Sequence, residues 1–237
     1  MQKVSVIVPA RNEEHYIGKC LTSVRTAAAK VDLPVETVVV LNRCTDATEE
    51  IALHHNALTV VENTPNLARI RNTGIRHSGG DVIATIDADS CMSANMLVEV
   101  QRHLKLGSYI GGGVRIRPER MSLGILCSLM MAAPYVILAR VSAGMFWVTR
   151  KVFEAVGGFD ERWVSAEDFH FAVTLRRFGS ARGLKYGTIR RAHIVTSCRQ
   201  FDQFGDWYLF KNPLLVRKIF EGRCRRSANH FYYDTKR

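Results

Sequence analysis

Four short apolar segments rich in β-branched residues alternate with amphipathic segments along the first 90 residues. The apolar segments, which predict buried strands, are residues 4–8, 35–41, 57–61 and 83–86. Between the first two strands, apolar side chains recur at helical spacing over residues 17–28. This alternation, with its short connections, predicts an α/β fold in which helices cover both faces of a mostly parallel sheet.

Three polar turns should lie at one edge of this sheet, because each follows the carboxyl end of a predicted strand. They are residues 9–13, 42–46 and 87–89. Ligands of parallel α/β sheets bind beyond that edge. Asp87 and Asp89 are two residues apart, and on an extended backbone such side chains point to the same side. The pair suits a divalent cation that carries a diphosphate, but two aspartates can also simply cap the following turn.

Polar side chains indicate where the helices begin. Asn12 is expected to cap the first helix, with Glu13 and Glu14 in its first turn. Asp46 is expected to cap the second helix, close to the spacing of a capping box. A third helix is predicted over residues 66–77.

The second half of the chain has a less regular pattern. A helix is expected from Ser93, then a glycine-weakened strand over residues 109–116 and another strand over residues 143–149. A further helix should begin after Ser165 and stop at Gly179. No internal repeat or low-complexity segment divides the chain, so one domain with a C-terminal extension accounts for the pattern.

Residues 123–139 form an uncharged and largely apolar segment. Pro134 interrupts it and Arg140 closes it. Its length, about 17 residues, is at the short limit for a helix that crosses a bilayer. A buried helix or a helix on a membrane surface is therefore expected in preference to a crossing.

The charge of the chain predicts an anionic partner. Its 33 Lys and Arg against 22 Asp and Glu give a formal net charge of +11. A nucleotide, a phosphorylated substrate, a membrane surface and a nucleic acid all fit that charge. Basic residues concentrate in the C-terminal segment from Lys211, in which Asn212 and Pro213 begin a helix.

The six cysteines lie in no Cys-x-x-Cys pair, which excludes a zinc knuckle and a thioredoxin motif. Reduced thiols in a cytoplasmic protein are the simplest interpretation. Lys3 is followed at once by a strand-like segment rather than by a long apolar region, so no signal peptide is expected.

Five motifs, in this order, resemble those of family 2 glycosyltransferases. They are Pro-Ala-Arg-Asn-Glu-Glu at residues 9–14, Arg-Asn-Thr-Gly at 71–74, Asp-Ala-Asp at 87–89, Gly-Gly-Phe-Asp at 157–160 and Glu-Asp at 167–168. The resemblance covers about residues 4–180. It implies the GT-A fold, a nucleotide-sugar donor, a divalent metal (Mn²⁺ or Mg²⁺) and usually inversion at the anomeric carbon.

The resemblance also implies a division of the chain. Residues 1–210 would form the GT-A domain, with the nucleotide-sugar-binding half at 1–110 and the acceptor and catalytic half at 111–210. Residues 211–237 would form a basic tail. Acceptor contacts are expected from residues 107–140 and from that tail.

The donor site would use residues of the first two motifs. By resemblance, Pro9, Arg11 and Glu13 line the nucleoside pocket, where Glu13 accepts hydrogen bonds from the ribose or base. A glutamate at this position also simply favours a helix N-terminus through the helix dipole. Arg71 would neutralise or orient the diphosphate, unless it is a solvated helix arginine.

Two positions depart from the family pattern. Asn42 stands where the family often has an aspartate that accepts a hydrogen bond from the base. An amide oxygen can still accept such a bond, but it brings no charge. Asn66 replaces a glycine that often opens the helix motif.

The metal site would use residues of the third motif. Asp87 would hold the ribose or a metal-bound water, and Asp89 would ligate the cation that bridges the two phosphates. That cation would act as a Lewis acid on the departing nucleoside diphosphate. His193 is a candidate third protein ligand, although a lone histidine in an apolar strand is more often structural.

By resemblance to the family's Glu-Asp motif, Asp168 is the predicted general base, since an acceptor hydroxyl must lose its proton as it attacks the anomeric carbon. Ser165 with Asp168 also fits a capping box, in which the helix N-terminus would make the carboxylate a weaker base. Trp147 and Trp163, on either side of the Gly-Gly motif, could stack on the acceptor sugar or belong to the core.

A glycosyltransferase that uses a nucleotide-diphosphate sugar and a metal is therefore the leading hypothesis. The acceptor hydroxyl would belong to a saccharide, a lipid or a small molecule. The protein would be cytoplasmic, either free or bound peripherally to the inner face of an anionic membrane. A non-catalytic binder of nucleic acid or membranes is the alternative, because of the charge, but acidic residues cluster where a polyanion groove would need lysines. A nucleotidyltransferase ranks lower, because residues 9–14 contain no glycine.

Overall fold

A computed structural model describes residues 1–222 of the chain. Its strands are β1 Val4–Ala10, β2 Val35–Leu41, β3 Leu58–Val61, β4 Val82–Thr85, β5 Ser90–Met92, β6 Tyr109–Pro118, β7 Phe146–Thr149 and β8 Lys185–Thr196. Its helices are α1 Ile17–Ala28, α2 Thr48–His54, α3 Leu67–Arg76, α4 Met96–Lys105, α5 Leu123–Leu138, α6 Arg150–Ala155, α7 Glu167–Ser180, α8 Arg199–Phe204, α9 Tyr208–Lys211 and α10 Pro213–Glu221.

The strands form one mixed, mostly parallel sheet in the order β3-β2-β1-β4-β7-β6-β8-β5. β1 is parallel to β2 and to β4, and β2 is parallel to β3. β7 is antiparallel to β4 and to β6, and β6 is parallel to β8. The predicted α/β class is confirmed, with the first four predicted strands side by side in the sheet.

Alternate residues of β1 pack against helices on opposite faces of the sheet. Val6 and Val8 belong to a core cluster that includes α1 and α4 residues. Ile7 belongs to a second cluster, which includes α3 and α7 residues. Since all three valine and isoleucine side chains are fully buried, β1 is the central strand that the apolar pattern predicts.

Close backbone approach explains the glycines of β6. A Cβ atom on Gly112 would lie 1.8 Å from the carbonyl oxygen of Gly187 on β8. Gly112 therefore allows β6 and β8 to pair, although glycine in a strand interior is generally weakening.

The predicted start of α1 at Asn12 is wrong. Asn12 has a left-handed backbone (φ +49°) and α1 begins only at Ile17, so Asn12 does not cap it. Its side chain instead accepts a hydrogen bond from the Thr45 amide, 2.9 Å away, which ties the first two polar turns together. Glu13 and Glu14 consequently precede the helix.

Polar side chains also accept hydrogen bonds at the starts of α2 and α3. Asp46 accepts a hydrogen bond from the Thr48 amide at 3.1 Å, although it lies one residue before the N-cap position of α2. Asn66 caps α3 through the Arg69 amide.

Ser165 does not cap α7. The N-cap residue is Ala166, in a left-handed conformation (φ +49°). The Ser165 hydroxyl donates to the carbonyl of Ile219 on α10. The capping-box alternative for Asp168 is therefore wrong.

The C-terminal region packs on the domain as far as Gly222. On α10, Val216 and Ile219 are buried, and the Val164 amide donates to the Gly222 carbonyl at 3.0 Å. A boundary at residue 210 thus does not mark the end of the packed chain. The rest of the predicted basic tail, residues 223–237, lies outside the described residues.

Helix α5 corresponds to the predicted apolar segment, and it is not a buried helix. Only Gly124, Ile125 and Ser128 are buried along its length. None of the helices within residues 1–222 combines the length and the apolar character that a bilayer crossing requires.

Candidate active site

A cavity of about 300 Å³ opens at the carboxyl ends of β1, β2 and β4, the edge at which the sequence predicts a site. The predicted site residues that line it are Pro9, Arg11, Glu13, Asn42, Arg71, Asp87, Asp89 and Asp168. The structure therefore brings together every predicted site residue except His193.

Asp87 and Asp89 reach this cavity from a turn and not from an extended strand. β4 ends at Thr85, and the Ser90 amide donates to the Asp87 carbonyl at 3.0 Å. The expectation that strand periodicity aligns the two carboxylates is wrong. The tight turn between β4 and β5 brings both carboxylates to the cavity instead.

Arg71 is a buried link beneath the cavity. One guanidinium nitrogen lies 2.7 Å from the Asp87 carboxylate, and another contacts Glu167. Its Nε atom has no hydrogen-bond partner among the described residues. Burial alone would lower the pKa of Arg71, but Asp87 and Glu167 raise it, so the guanidinium stays charged.

The Glu-Asp pair at the start of α7 holds protons more tightly than exposed carboxylates do. Burial raises the pKa of Glu167 to about 7, although Arg71 opposes the shift. Burial also raises the pKa of Asp168, against the opposing effect of Arg71. The Asp168 Oδ1 atom accepts a hydrogen bond from the Phe169 amide at 2.7 Å. A raised pKa makes an ionised carboxylate a stronger base, which suits the predicted role.

Arg199, at the start of α8, joins two of the predicted site residues. Its guanidinium contacts the Glu13 carboxylate at 2.6 and 3.0 Å and the Asp89 carboxylate at 3.1 Å. The Ser197 hydroxyl also donates to Asp89, at 2.9 Å. Burial would lower the pKa of Arg199, but Asp89 and Glu13 raise it. The sequence offers no signal that distinguishes Arg199 from the other arginines of a basic C-terminal half.

Asn42 is held by local contacts at the cavity wall. Its side-chain amide donates to the carbonyls of Glu62 and Thr64, and its oxygen accepts from Arg43 at 3.2 Å. The side chain is buried, so it shapes the pocket at the end of β2.

Two motifs that are far apart in sequence meet beside the cavity. The Asn72 side chain exchanges hydrogen bonds with the backbone of Phe159, at 2.8 and 3.0 Å. Gly157 and Gly158 have positive φ angles of 84° and 72°, which turn the chain toward this contact. The Asn-Thr-Gly and Gly-Gly-Phe-Asp segments thus act as structural supports of the site.

His193 lies outside the cavity lining, on β8 opposite Arg115 of β6. Burial, Arg117 and Arg115 lower the pKa of its imidazole. Two nearby positive charges disfavour a bound cation, so the structure does not bring His193 into a site with Asp87 and Asp89.

The two tryptophans have separate environments. Trp147 is fully buried and donates from Nε1 to the Gly113 carbonyl, so it belongs to the core. Trp163 is half-buried, and His170 stacks on its ring at a centroid distance of 3.6 Å. Neither lines the cavity.

The charges of the cavity favour a cation as part of any anionic ligand. The carboxylates of its lining are Glu13, Asp87, Asp89, Glu167 and Asp168, and the arginines are Arg11, Arg71 and Arg199. When all are ionised, the lining has a net formal charge of −2, which repels a diphosphate. A divalent cation would offset that repulsion, and carboxylate oxygens are suitable ligands for Mg²⁺ or Mn²⁺.

Within residues 1–222 no three His, Cys, Asp or Glu side chains are grouped to hold a metal ion by themselves. Such a group is not required, because Mg²⁺ is commonly held by one or two carboxylates together with substrate phosphates. The residues present therefore fit a cation that protein and donor would bind jointly.

Comparison with known proteins identifies the family. The profile of Glycosyl transferase family 2 matches residues 5–157, and the chain belongs to that family. Glycosyltransferase GlyA of Streptococcus pneumoniae is 32% identical over 119 residues, which are 45% of this chain and 17% of that protein. Glycosyltransferase AglE of Haloferax volcanii is 28% identical over 231 residues, which are 91% of this chain and 72% of that protein. The chain thus spans only a small part of GlyA and most of AglE.

Solved structures have the same fold at low sequence identity. S. aureus TarS (residues 1–349) superposes with a TM-score of 0.64 and 16% identity, covering 100% of this chain and 74% of that one. Glucosyl-3-phosphoglycerate synthase from Mycobacterium tuberculosis, in complex with Mn²⁺, UDP and glucosyl-3-phosphoglycerate, gives a TM-score of 0.63 at 18% identity. It covers 91% of this chain and 78% of that one. These likenesses confirm the GT-A fold.

Proposed function

We propose that this chain transfers a sugar from a nucleotide-diphosphate sugar to an acceptor hydroxyl, with a divalent cation and with Asp168 as the general base. The observation that carries the proposal is the cavity, which holds Asp87, Asp89 and Asp168 together at the ends of the parallel strands. Membership of the family supports the reaction class.

The donor would lie across the ends of β1 and β2. Pro9, Arg11, Glu13 and Asn42 would contact its nucleoside, since these residues line that part of the cavity. Arg71 would act on the diphosphate mainly through Asp87, because its guanidinium is engaged by Asp87 and Glu167.

Asp89 would hold the cation together with the donor phosphates, and Asp87 would contact the ribose or a bound water. Mn²⁺ or Mg²⁺ would supply Lewis-acid stabilisation of the charge on the leaving diphosphate. A divalent cation is consistent with two solved structures of the same fold: the Mycobacterium tuberculosis synthase was crystallised with Mn²⁺ and UDP, and Pyrobaculum calidifontis PcManGT with GDP-Man and Mn²⁺.

Asp168 would accept the proton of the acceptor hydroxyl as that oxygen attacks the anomeric carbon. The new glycosidic bond forms as the bond to the diphosphate oxygen breaks, so a single displacement inverts the anomeric centre. The raised pKa of Asp168 and its position on the cavity wall support this role. Glu167, buried behind it, would hold Arg71 in place.

The proposal includes a cytoplasmic location. The five cysteines within residues 1–222 are free thiols: Cys20, Cys44, Cys91, Cys127 and Cys198. Free thiols fit a reducing compartment.

Two substitutions test the assigned roles. Asp168→Asn should reduce transfer by about 10²-fold or more, because the loss of a general base typically costs that factor. It should leave donor binding in place. Asp89→Asn should weaken the metal dependence of donor binding, which thermal melting with Mn²⁺ and UDP-, GDP- or dTDP-sugars would measure.

Asp32→Asn is the matched control, because Asp32 is an exposed aspartate between α1 and β2. It should behave as the wild type in both assays. Unchanged turnover in Asp168→Asn would exclude Asp168 as the base. A wild-type melting temperature that no sugar nucleotide raises would count against the donor site.

A further inference from the structure

The exposed face of α5 is an apolar stripe without a partner among the described residues. The stripe consists of Leu123, Leu126, Leu129, Met130, Ile137 and Leu138, whose exposed fractions range from 39% to 83%. At about 100° per residue these positions fall within one half of the helix circumference, opposite the buried Gly124, Ile125 and Ser128. At 1.5 Å per residue the stripe runs for roughly 24 Å, the full length of α5.

Neighbouring helices place further exposed apolar and basic residues beside α5. Tyr135 of α5 stacks on Phe220 of α10 at a centroid distance of 4.3 Å, so the two helices lie side by side. On α10, Leu214 is exposed, and Lys218 follows one turn later, also exposed. Lys211 precedes them on α9, exposed as well.

The charge of the chain decides between possible partners for this surface. A second copy would bring together two chains that each have a formal net charge of +11, which opposes association. An anionic bilayer attracts the same charge, and its interface accommodates apolar side chains beside lysines that reach the headgroups.

We propose that the exposed faces of α5, α9 and α10 form a docking surface for an anionic phospholipid bilayer. The apolar stripe enters the headgroup and acyl boundary, while Lys211 and Lys218 contact anionic headgroups. The helix lies in the plane of the interface, because its 16 residues include no charged side chain but are too few for a crossing. This inference does not depend on the proposed reaction.

Vesicle flotation of the full chain tests this proposal, with phosphatidylcholine vesicles that contain or lack phosphatidylserine. The stripe variant carries four substitutions, Leu123→Gln, Met130→Gln, Ile137→Gln and Leu138→Gln. Its matched control places the same change at exposed apolar residues elsewhere, Leu53, Leu58, Val61 and Leu106. The wild type and the control should float with the anionic vesicles, and the stripe variant should bind at least about tenfold more weakly.

The charge contribution has its own pair of variants. Lys211→Gln with Lys218→Gln should weaken binding about fivefold per lysine removed. The control, Lys30→Gln with Lys185→Gln, makes the same change in net charge at exposed sites outside α5, α9 and α10 and should weaken binding much less.

Melting temperatures, with and without a sugar nucleotide, should match the wild type in every variant, because the substituted side chains are exposed. This readout separates failure of the docking proposal from failure of the donor site. Equal binding by the stripe variant and the wild type, or no flotation of the wild type, would overturn the proposal. A concentration-dependent dimer in sedimentation, lost in the stripe variant, would overturn it in favour of a second copy.

Discussion

Replacing Glu167 by Gln should make the protein more stable relative to the wild type as the pH rises. Glu167 is buried at the start of α7, where its pKa is raised from 4.5 to about 7. Because the folded pKa exceeds the unfolded one, the folded state holds a proton that the unfolded state releases between these values. The stability contributed by this group is fully present below pH 4.5 and is lost as the pH rises through 7.

The magnitude follows from the size of the shift. Each pKa unit corresponds to about 1.4 kcal/mol, so between pH 4.5 and 7.5 the wild type should lose about 3 kcal/mol through this group. Gln does not titrate, so Glu167→Gln lacks this loss. The substitution keeps the shape of the side chain, but it removes the charged partner of Arg71 once Glu167 would be ionised.

Urea denaturation at the two pH values measures the effect as a double difference. The free energy of unfolding of the wild type minus that of the variant should fall by about 3 kcal/mol between pH 4.5 and pH 7.5. Asp32→Asn, at an exposed site, should show almost no such change. A double difference near zero, or one of opposite sign, would refute the argument that burial outweighs the attraction of Arg71.

Two further predictions concern the site and its supports. Arg199→Met should lower the Mn²⁺ concentration needed for half-maximal activity about fivefold. The positive charge of Arg199 beside Asp89 repels the cation, and in a solvated cavity this repulsion weakens cation binding by about 1 kcal/mol. Arg199→Lys should keep the wild-type midpoint, and an unchanged midpoint in Arg199→Met would show that Arg199 does not compete with the cation for Asp89. Gly158→Ala should destabilise the fold more than Gly107→Ala. Both glycines have positive φ, but only a Cβ on Gly158 meets neighbours, at 3.1 Å from Asn72 Oδ1, whereas Gly107 faces open space. Equal losses of melting temperature would show that the Asn72 contact is unimportant.

The fold was predictable because its central strands carry a local signal. β1 and β2 are continuous apolar runs, and burial on both faces is what such runs require. Residues that follow these strands meet at the same edge whatever the details of the turns. That geometry is why Glu13, Asn42 and Asp87 line the same cavity, as their positions after the strands predict.

The errors arose where tertiary contacts override local preference. Asn12 has the chemistry of a helix cap but bonds to the neighbouring turn, and Ser165 bonds to α10, more than 50 residues later. Sequence patterns contain no information on such distant partners. Arg199 was missed for the same reason, since only the three-dimensional structure places its guanidinium between Glu13 and Asp89.

The anchoring of the Ser165 segment by α10 affects how the chain can be dissected. The Ser165 hydroxyl and the Val164 amide both donate to carbonyls at the end of α10, and they lie one and two residues before the left-handed Ala166, which Glu167 and Asp168 follow. Deleting the chain from residue 211 would therefore release the loop that positions Asp168. Loss of activity in the truncated protein would then reflect loss of the hydrogen bonds from α10 and would not report on lipid contact. Point substitutions on the outer surface separate the structural role of α10 from a role in lipid binding.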